Sequence, residues 1–406
     1  MHAYYLAEAG LEVEVVERRA LGSGASRGNA GWVCLSHSTP VPAPGVVRYA
    51  LRSLGRPDSA LYLRPLADPA FVRWLWQFWR SSTPAAFRRG YTAIAELNRT
   101  TFDLFDGLRS AGVETGLTRP GMVHAFLSPA EARHHLAVQR QMAHGRYPLP
   151  DDVVTGDEAR LLDPALSPRV RAAYLVEGEG VVDPEAFARA LGEALAVSGV
   201  KIHENTEATG FRTGGDRVTA TGEIPCSAAV IAAGMRSSDL LGSLGHPLPL
   251  QTGKGYSFSV DLDPAPLHTL YFGERRAVAS PIGPTTRVGG TMELSGNNNR
   301  LDWRRIVAVA LASRHYLGRW FDDPDDLVSL IRDPWVGGRP FLPDGLPVID
   351  RVPGHDNAFA ATGHGMLGVT LGPVTGHHLA AYVRTGRRPD VLTPFRFGRG
   401  SWARRA

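Results

Sequence analysis

The opening stretch, MHAYYLAEAGLEVEVVERRALGSGAS (residues 1–26), decides how the rest of the chain is read. AYYLAEAG spaces its apolar residues as one helix face and ends at Gly10, which suits the turn that closes a helix. LEVEVVE reads as a short strand ending in the acid Glu17. A helix followed by such a strand is the second half of a βαβ nucleotide-binding unit. The unit's first strand and its Gly-rich phosphate turn should stand before the helix, yet the sequence starts at Met1, inside it. The expectation is a strand and glycine turn encoded upstream, with the start assigned too far downstream or the chain shortened. A non-catalytic scaffold that has lost the turn is the alternative.

Two further glycine-rich stretches bear on the choice. Glu17, at a strand tip, is placed to accept hydrogen bonds from ribose hydroxyls, although an exposed strand-end acid would look the same. GSGASRGNAG (22–31) supplies four glycines for close backbone approach, with Ser26 and Asn29 as small polar groups. A helix is expected to begin here and present its free N–H groups to an anion such as a pyrophosphate. GHGMLGVTLGPVTG (363–376) forms the second such loop, between a strand and a helix.

From PVPAP (40–44) the chain enters a helical run to about Gly145, interrupted by a strand in TRPGMVHAFLS (118–128). AAYLVEGEGVVDP (172–184) reads strand, turn, strand. Asp183 then caps a helix that has Pro184 at its first position and stops at Gly199. Three strand signals lead to AAVIAAG, a continuous apolar run whose tip, Ala233–Gly234, suits a buried parallel strand facing a ligand. Residues 250–296 are strand-rich, and a helix is expected at about 302–320. The order implies an α/β chain with a discontinuous domain of 1–48, 182–245 and 335–406. The segments 49–181 and 246–334 would form a second domain of mixed or antiparallel sheet and helices.

With 406 residues and a net charge of +4, the chain can bury a large core and gives no case for nucleic acid. The two cysteines, Cys34 and Cys226, exclude a disulfide scaffold and point to a reducing, cytoplasmic setting. No secretory signal or bilayer-long apolar run is visible. FVRWLWQFWR (71–80) is the most membrane-like stretch; internal packing of its aromatic residues is the preferred reading over an anchor. Arg384, Arg387, Arg388, Arg396, Arg399, Arg404 and Arg405 stand against Asp390 alone, which reads as a solvated tail, with peripheral contact to an anionic membrane as the minority reading.

Several chemistries drop out. QTGKGYS (251–257) has Gly255 where a P-loop needs Ser or Thr, and no GxSxG marks a serine hydrolase. The pairs His134–His135 and His377–His378 lack the i, i+4 spacing of helical metal ligands, so no metal is assigned.

Glu17, GASRGNAG, VIAAG, WVGGRPFLPDGLPVI and GHGMLGVTL, in that order, resemble the FAD-dependent D-amino-acid oxidoreductase family. That family includes glycine oxidase, sarcosine oxidase and the small subunit of bacterial D-amino-acid dehydrogenase. The likeness runs through essentially the whole chain, and SHSTPVPAPG (36–45), KGYS (254–257) and RVGGTMELSG resemble the dehydrogenase branch. The resemblance implies a Rossmann-like FAD-binding domain with non-covalent FAD, held at Glu17 and Arg18 and at Ala25, Ser26, Asn29, Ala30 and Gly31. It places the adenine near Ala208, and the flavin ring near Gly365, Met366, Leu367, Gly368, Val369 and Thr370.

It further implies that Arg339, in GGRP, clamps a substrate carboxylate so that the Cα–H faces the flavin. A D-amino acid or cyclic secondary amino acid would give an imine and then a 2-oxo acid, with electrons leaving to a quinone or another carrier. An O₂-using oxidase is the same-fold rival. His364 and His37 are candidates for setting the amine's protonation, or ordinary loop residues. Tyr256 offers its hydroxyl to substrate or packs beneath the sheet. Two departures affect the pocket: His37 stands where relatives of the dehydrogenase branch carry an aromatic residue, and AVASPI (277–282) has no counterpart of the carboxylate-binding Tyr of glycine oxidases. No oligomeric state is implied.

Overall fold

The computed structural model describes residues 1–53, 59–64, 68–143, 145–318 and 327–399. Helix α1 (His2–Glu8) closes where glycine allows it: Gly10 takes φ 81° and the Leu11 N–H reaches the Leu6 carbonyl at 3.1 Å. Then come β1 (Glu14–Val16), β2 (Trp32–Val33), α2 (Val46–Arg52), β3 (Leu61–Leu63), α3 (Pro69–Ser81), α4 (Pro84–Leu97) and α5 (Thr101–Ser110). β4 (Met122–Phe126), α6 (Pro129–Ala143), β5 (Val154–Thr155), β6 (Ala172–Val176) and β7 (Gly180–Val181) lead to α7 (Pro184–Val197). Asp183 caps α7 through the N–H groups of Glu185 and Ala186, as the sequence predicts.

β8 (Lys201–His203) precedes an antiparallel meander, β9 (Phe211–Gly214), β10 (Arg217–Thr221) and β11 (Ile224–Pro225), and then β12 (Ala229–Ile231). The rest is β13 (Gln251–Val260), β14 (Thr269–Phe272), β15 (Ala277–Ile282), β16 (Thr285–Leu294), α8 (Trp303–Ser313), β17 (Arg332–Phe341), β18 (Val348–Arg351), β19 (Ala358–Thr362) and α9 (Gly368–Thr385). The helix expected at 302–320 is thus shorter, and residues 319 and 320 lie outside the described ones.

A mixed sheet in the order β17-β13-β16-β15-β14-β4-β6-β5, with β3 beside β16, forms the larger layer. The expected domain boundary at 335 falls inside β17, whose length pairs with β13 in this sheet. One face carries Tyr256, Phe258, Val288, Ala277 and Phe272 into a core with Ile306, Val309 and Ala310 of α8. Because side chains alternate along a strand, the other face presents one row in cross-strand register: Ser257, Gly289, Val278, Tyr271, His124 and Tyr174.

The second layer holds the parallel pairs β1·β8 and β12·β19, with β18 antiparallel to β19. Among the described residues β1 pairs only with β8 and β12 only with β19, so the layer comes in two pieces. Helix α1 crosses α9 closely: a Cβ on Gly376 would lie 3.1 Å from the Met1 carbonyl and 2.8 Å from the Tyr5 ring.

Two sequence expectations change here. Part of the basic tail is anchored, with Arg388 on the buried Asp350 at 2.6 Å and Arg399 on Asp344 at 2.9 Å, while Arg384, Arg387 and Arg396 are exposed as expected; Arg404 and Arg405 lie outside the described residues. Helix α3 packs three of its five aromatic residues inward. Phe71, Trp74 and Phe78 are buried, while Val72, Trp76 and Trp79 are 57, 49 and 57 % exposed.

Candidate active site

Glu17 follows the last residue of β1, with its N–H on the His203 carbonyl and its own carbonyl accepting from Thr206. One carboxylate oxygen accepts the Arg19 N–H at 3.0 Å. The loop after β8, which carries Ala208, therefore lies directly beside Glu17 and can close over an adenosine. Arg18 is exposed at the same edge. Gly234, at φ 57°, caps β12, and its carbonyl accepts the Thr362 hydroxyl at 3.0 Å, which ties the tips of β12 and β19 together.

Residues 22–31 form successive turns, not the expected start of a helix. Four glycines and no apolar period favour turns over helix propagation. Gly28 and Gly31 serve the protein's own packing. A Cβ on Gly28 would fall 2.1 Å from the Trp335 ring, and one on Gly31 (φ 77°) would fall 2.0 Å from the Val182 carbonyl oxygen. The Asn29 side chain accepts the Gly31 N–H at 2.8 Å and so braces its own loop. Ala25 and Ser26 are exposed, and Ala30 half-buried, along this turn. The loop rests on the large sheet through Ser257 to the Gly28 carbonyl (2.7 Å) and Arg287 to the Arg27 carbonyl (2.9 Å).

The second glycine loop meets the first. Thr370 donates to the Trp32 carbonyl at 2.9 Å and accepts from the Cys34 N–H at 3.3 Å. Gly365 sits at φ 56° against the Phe341 ring and begins a 3-10 turn (Gly365–Leu367) that runs directly into α9 at Gly368. Met366 is exposed, whereas Leu367 and Val369 join hydrophobic clusters. Space is open beyond Gly24, Gly234 and Gly368, where an added Cβ would meet no close atom. An acid at a strand tip, an exposed polar turn and a helix start are the kinds of group that an extended dinucleotide uses. These residues fit an extended dinucleotide such as FAD.

Over the large sheet, Arg339 extends from β17 across Gly255, whose missing side chain makes the room: a Cβ there would lie 2.0 Å from the guanidinium. Its Nη1 donates to the Thr291 carbonyl at 3.2 Å. Burial alone pulls its pKa down to about 10, and no carboxylate pairs with it among the described residues. Thr291, which sequence reading missed, takes φ 59°, rare for a β-branched residue, and its buried hydroxyl has no partner. A charged fork and an unpaired hydroxyl thus converge beside one carbonyl. Gly289 floors the adjoining space; an added Cβ would meet its nearest atoms only at 3.5 Å, so packing does not demand glycine there.

Tyr256 is on the opposite face. It is buried in the core, and its hydroxyl donates to Glu293 at 2.7 Å. The reading that gave this hydroxyl to substrate is corrected: β13 alternates, and the face of Gly255 and Ser257 is the one turned to the site.

His37 joins a ring cluster, 4.6 Å from Tyr271, 5.2 Å from Trp32 and stacked 5.1 Å from His124. Burial lowers His37 to about 3, and lowers His364, whose Nε2 lies 3.1 Å from the Thr375 hydroxyl, to about 4. Both imidazoles are neutral at pH 7.

Glu179 fixes the loop that bears His37. Its two carboxylate oxygens accept the N–H groups of Leu35 (2.9 Å) and Ser36 (2.8 Å). Burial raises its pKa from 4.5 to about 6, against the opposing pull of those N–H groups. A carboxyl raised on folding favours the folded state most below pH 4.5, and that contribution is lost as pH rises through 6. The stability advantage of the wild type over Glu179→Gln is therefore expected to shrink by roughly 1 kcal/mol between pH 5 and 7.5. Denaturant unfolding of both proteins at the two pH values checks this.

A mixed α/β molecule with glycine-rich turns beside its parallel strand pairs, and over the large sheet an arginine that no described carboxylate pairs, suits a flavin-dependent oxidoreductase. The family described as FAD dependent oxidoreductase matches residues 1–382, and the chain belongs to it. A D-amino-acid oxidase of Bradyrhizobium diazoefficiens is 33 % identical over 91 % of this chain and 88 % of its own length. A D-amino acid dehydrogenase of Xanthobacter autotrophicus is 33 % identical over 96 and 94 %. Among solved structures, glycine oxidase from Geobacillus kaustophilus superposes with a TM-score of 0.73 at 22 % identity over 97 % of this chain and 94 % of its own. L-proline dehydrogenase from P. horikoshii gives 0.72 at 16 % identity over 97 and 92 %. Those two establish the shared fold.

Proposed function

We propose that this enzyme oxidises the Cα–N bond of a D-amino acid or a cyclic secondary amino acid to an imine, which water hydrolyses to a 2-oxo acid. The observation that carries this reading is Arg339, a half-buried cation with no carboxylate partner among the described residues, set beside the unpaired Thr291 hydroxyl. Leaving a charge unpaired in a folded interior is costly, and a substrate carboxylate is the partner that relieves it.

Bound FAD supplies the hydride acceptor. The protein's part is placement. Arg339 and Thr291 hold the carboxylate, and Gly289 and Val278 leave room above the sheet for the α-carbon. Tyr271 and neutral His37 wall the side-chain end, and the loop fixed by Glu179 closes over it. The amine reacts in its unprotonated form, and no strong general base is required beyond that. The relatives named for D-amino acids support the D configuration.

Electrons are read as leaving to a quinone or another carrier. No described helix is long and apolar enough to cross a membrane, and the working place proposed is the cytoplasm or its membrane face. Purified protein should be yellow and should bleach anaerobically when a D-amino acid is added. Colourless protein indifferent to FAD would overturn the reading, and stoichiometric peroxide under air would favour an oxidase over a dehydrogenase.

A further inference from the structure

Helix α3 presents two different apolar faces. Inward, Trp74, Leu75 and Phe78 line a cavity of about 160 Å³, closed by Val47 of α2, Met292 of β16 and Phe341 of β17. Every residue lining it is apolar. An apolar cavity of this size takes a single ring or a short run of hydrocarbon. Outward, Val72, Arg73, Trp76, Trp79 and Arg80 form one exposed stripe at helical spacing, with the Arg80 guanidinium 4.8 Å over the Trp76 ring. Two tryptophans at about half exposure are far more apolar surface than a helix needs for folding.

Tryptophan mixed with arginine, on a helix that does not span, suits the headgroup region of a bilayer. The indole rings enter the interface and the guanidinium groups meet anionic phosphates. The inner cavity then lies just behind a helix seated on lipid. Its far wall, Phe341, is the ring that a side chain on Gly365 would strike at 2.4 Å. One aromatic ring therefore separates the cavity from the loop expected to hold the flavin.

We infer that α3 docks on an anionic lipid surface and that the cavity behind it receives the hydrocarbon part of a lipid-borne quinone. The assignment rests on the proposed amino-acid oxidation only for the source of electrons. Converting an amine to an imine releases two electrons and two protons, and a quinone that takes up both becomes the quinol.

The test uses the holoenzyme. Wild type and the double variant Trp76→Glu/Trp79→Glu are sedimented with phosphatidylcholine vesicles containing phosphatidylglycerol, and with vesicles lacking it. Binding of the wild type to the anionic vesicles, reduced at least tenfold in the double variant, is the expected result. Amino-acid oxidation with a water-soluble dye acceptor should be equal in the two proteins. In a second arm Ala50→Phe, which fills the cavity from α2, should raise the KM for a decyl-substituted benzoquinone at least tenfold while dye reduction is unchanged.

Wild type that ignores anionic vesicles would overturn the inference, as would a double variant that binds them equally. So would a concentration-dependent dimer abolished by the two glutamates, since α3 would then face a second copy. Failure of amino acids to reduce the dye would count against the proposed reaction, with lipid docking still read from vesicle binding without turnover, and an unchanged quinone KM in Ala50→Phe would overturn the role given to the cavity.

Discussion

Arg339→Met is expected to lower kcat/KM for the amino-acid substrate by about 10³-fold while the melting temperature holds or rises. In its proposed role the guanidinium would contribute two charge-assisted hydrogen bonds to the substrate carboxylate, each worth about 1.5–3 kcal/mol, and about 4 kcal/mol corresponds to three powers of ten in rate. On the stability side the sign is opposite. Arg339 is half-buried, and among the described residues only the Thr291 carbonyl accepts from it, so replacing it by an apolar side chain of similar length removes a partly desolvated charge that has no carboxylate partner. Arg339→Lys should recover little activity, because an ammonium cannot offer the planar pair of donors. Steady-state kinetics with a soluble acceptor, read beside thermal unfolding of the same proteins, checks both halves. Equal losses of activity and stability would assign Arg339 to the scaffold instead.

The sequence was most informative where one residue type answers one backbone demand. Gly10 and Gly31 sit at positive φ, and the Asp183–Pro184 pair starts α7, because these conformations admit few alternatives. The two glycine loops were legible as turns for the same reason, whereas Arg339 stood out only through the resemblance of its GGRP motif. Information carried between distant strands was hidden. Asp350, the partner of Arg388, lies 38 residues away, and the row that brings Tyr271 to His124 depends on the register of β14 with β4. Thr291 has no glycine to announce its left-handed turn. Helix α3 is aromatic all round, so its periodicity gave no inside and outside, and only the fold shows that Trp74 faces in and Trp76 out. In β13 the alternation of Lys254 and Tyr256 against Gly255 and Ser257 was readable, but both faces are buried, and nothing local says which one carries the site.

That ambiguity has an energetic counterpart behind the sheet. Glu293, 5 % exposed, accepts from Lys254 at 2.7 Å and from the Tyr256 hydroxyl at 2.7 Å, with Arg305 at 3.9 Å. Burial alone would raise its pKa, but the hydrogen bonds from Lys254, Ser295 and Tyr256 outweigh that and hold it below the ordinary value. A carboxylate depressed on folding stabilises the fold above its unfolded pKa and loses that contribution as pH falls through the folded one. Glu293→Ala leaves buried cations without their shared anion and is expected to cost about 3–5 kcal/mol. Tyr256→Phe removes one hydrogen bond of the same network, about 1 kcal/mol, and should leave kcat/KM within about twofold, because its hydroxyl faces away from Arg339. Denaturant unfolding of the two variants, with kinetics on Tyr256→Phe, separates the faces of β13. A Tyr256→Phe enzyme of unchanged stability but greatly reduced turnover would return that hydroxyl to the substrate.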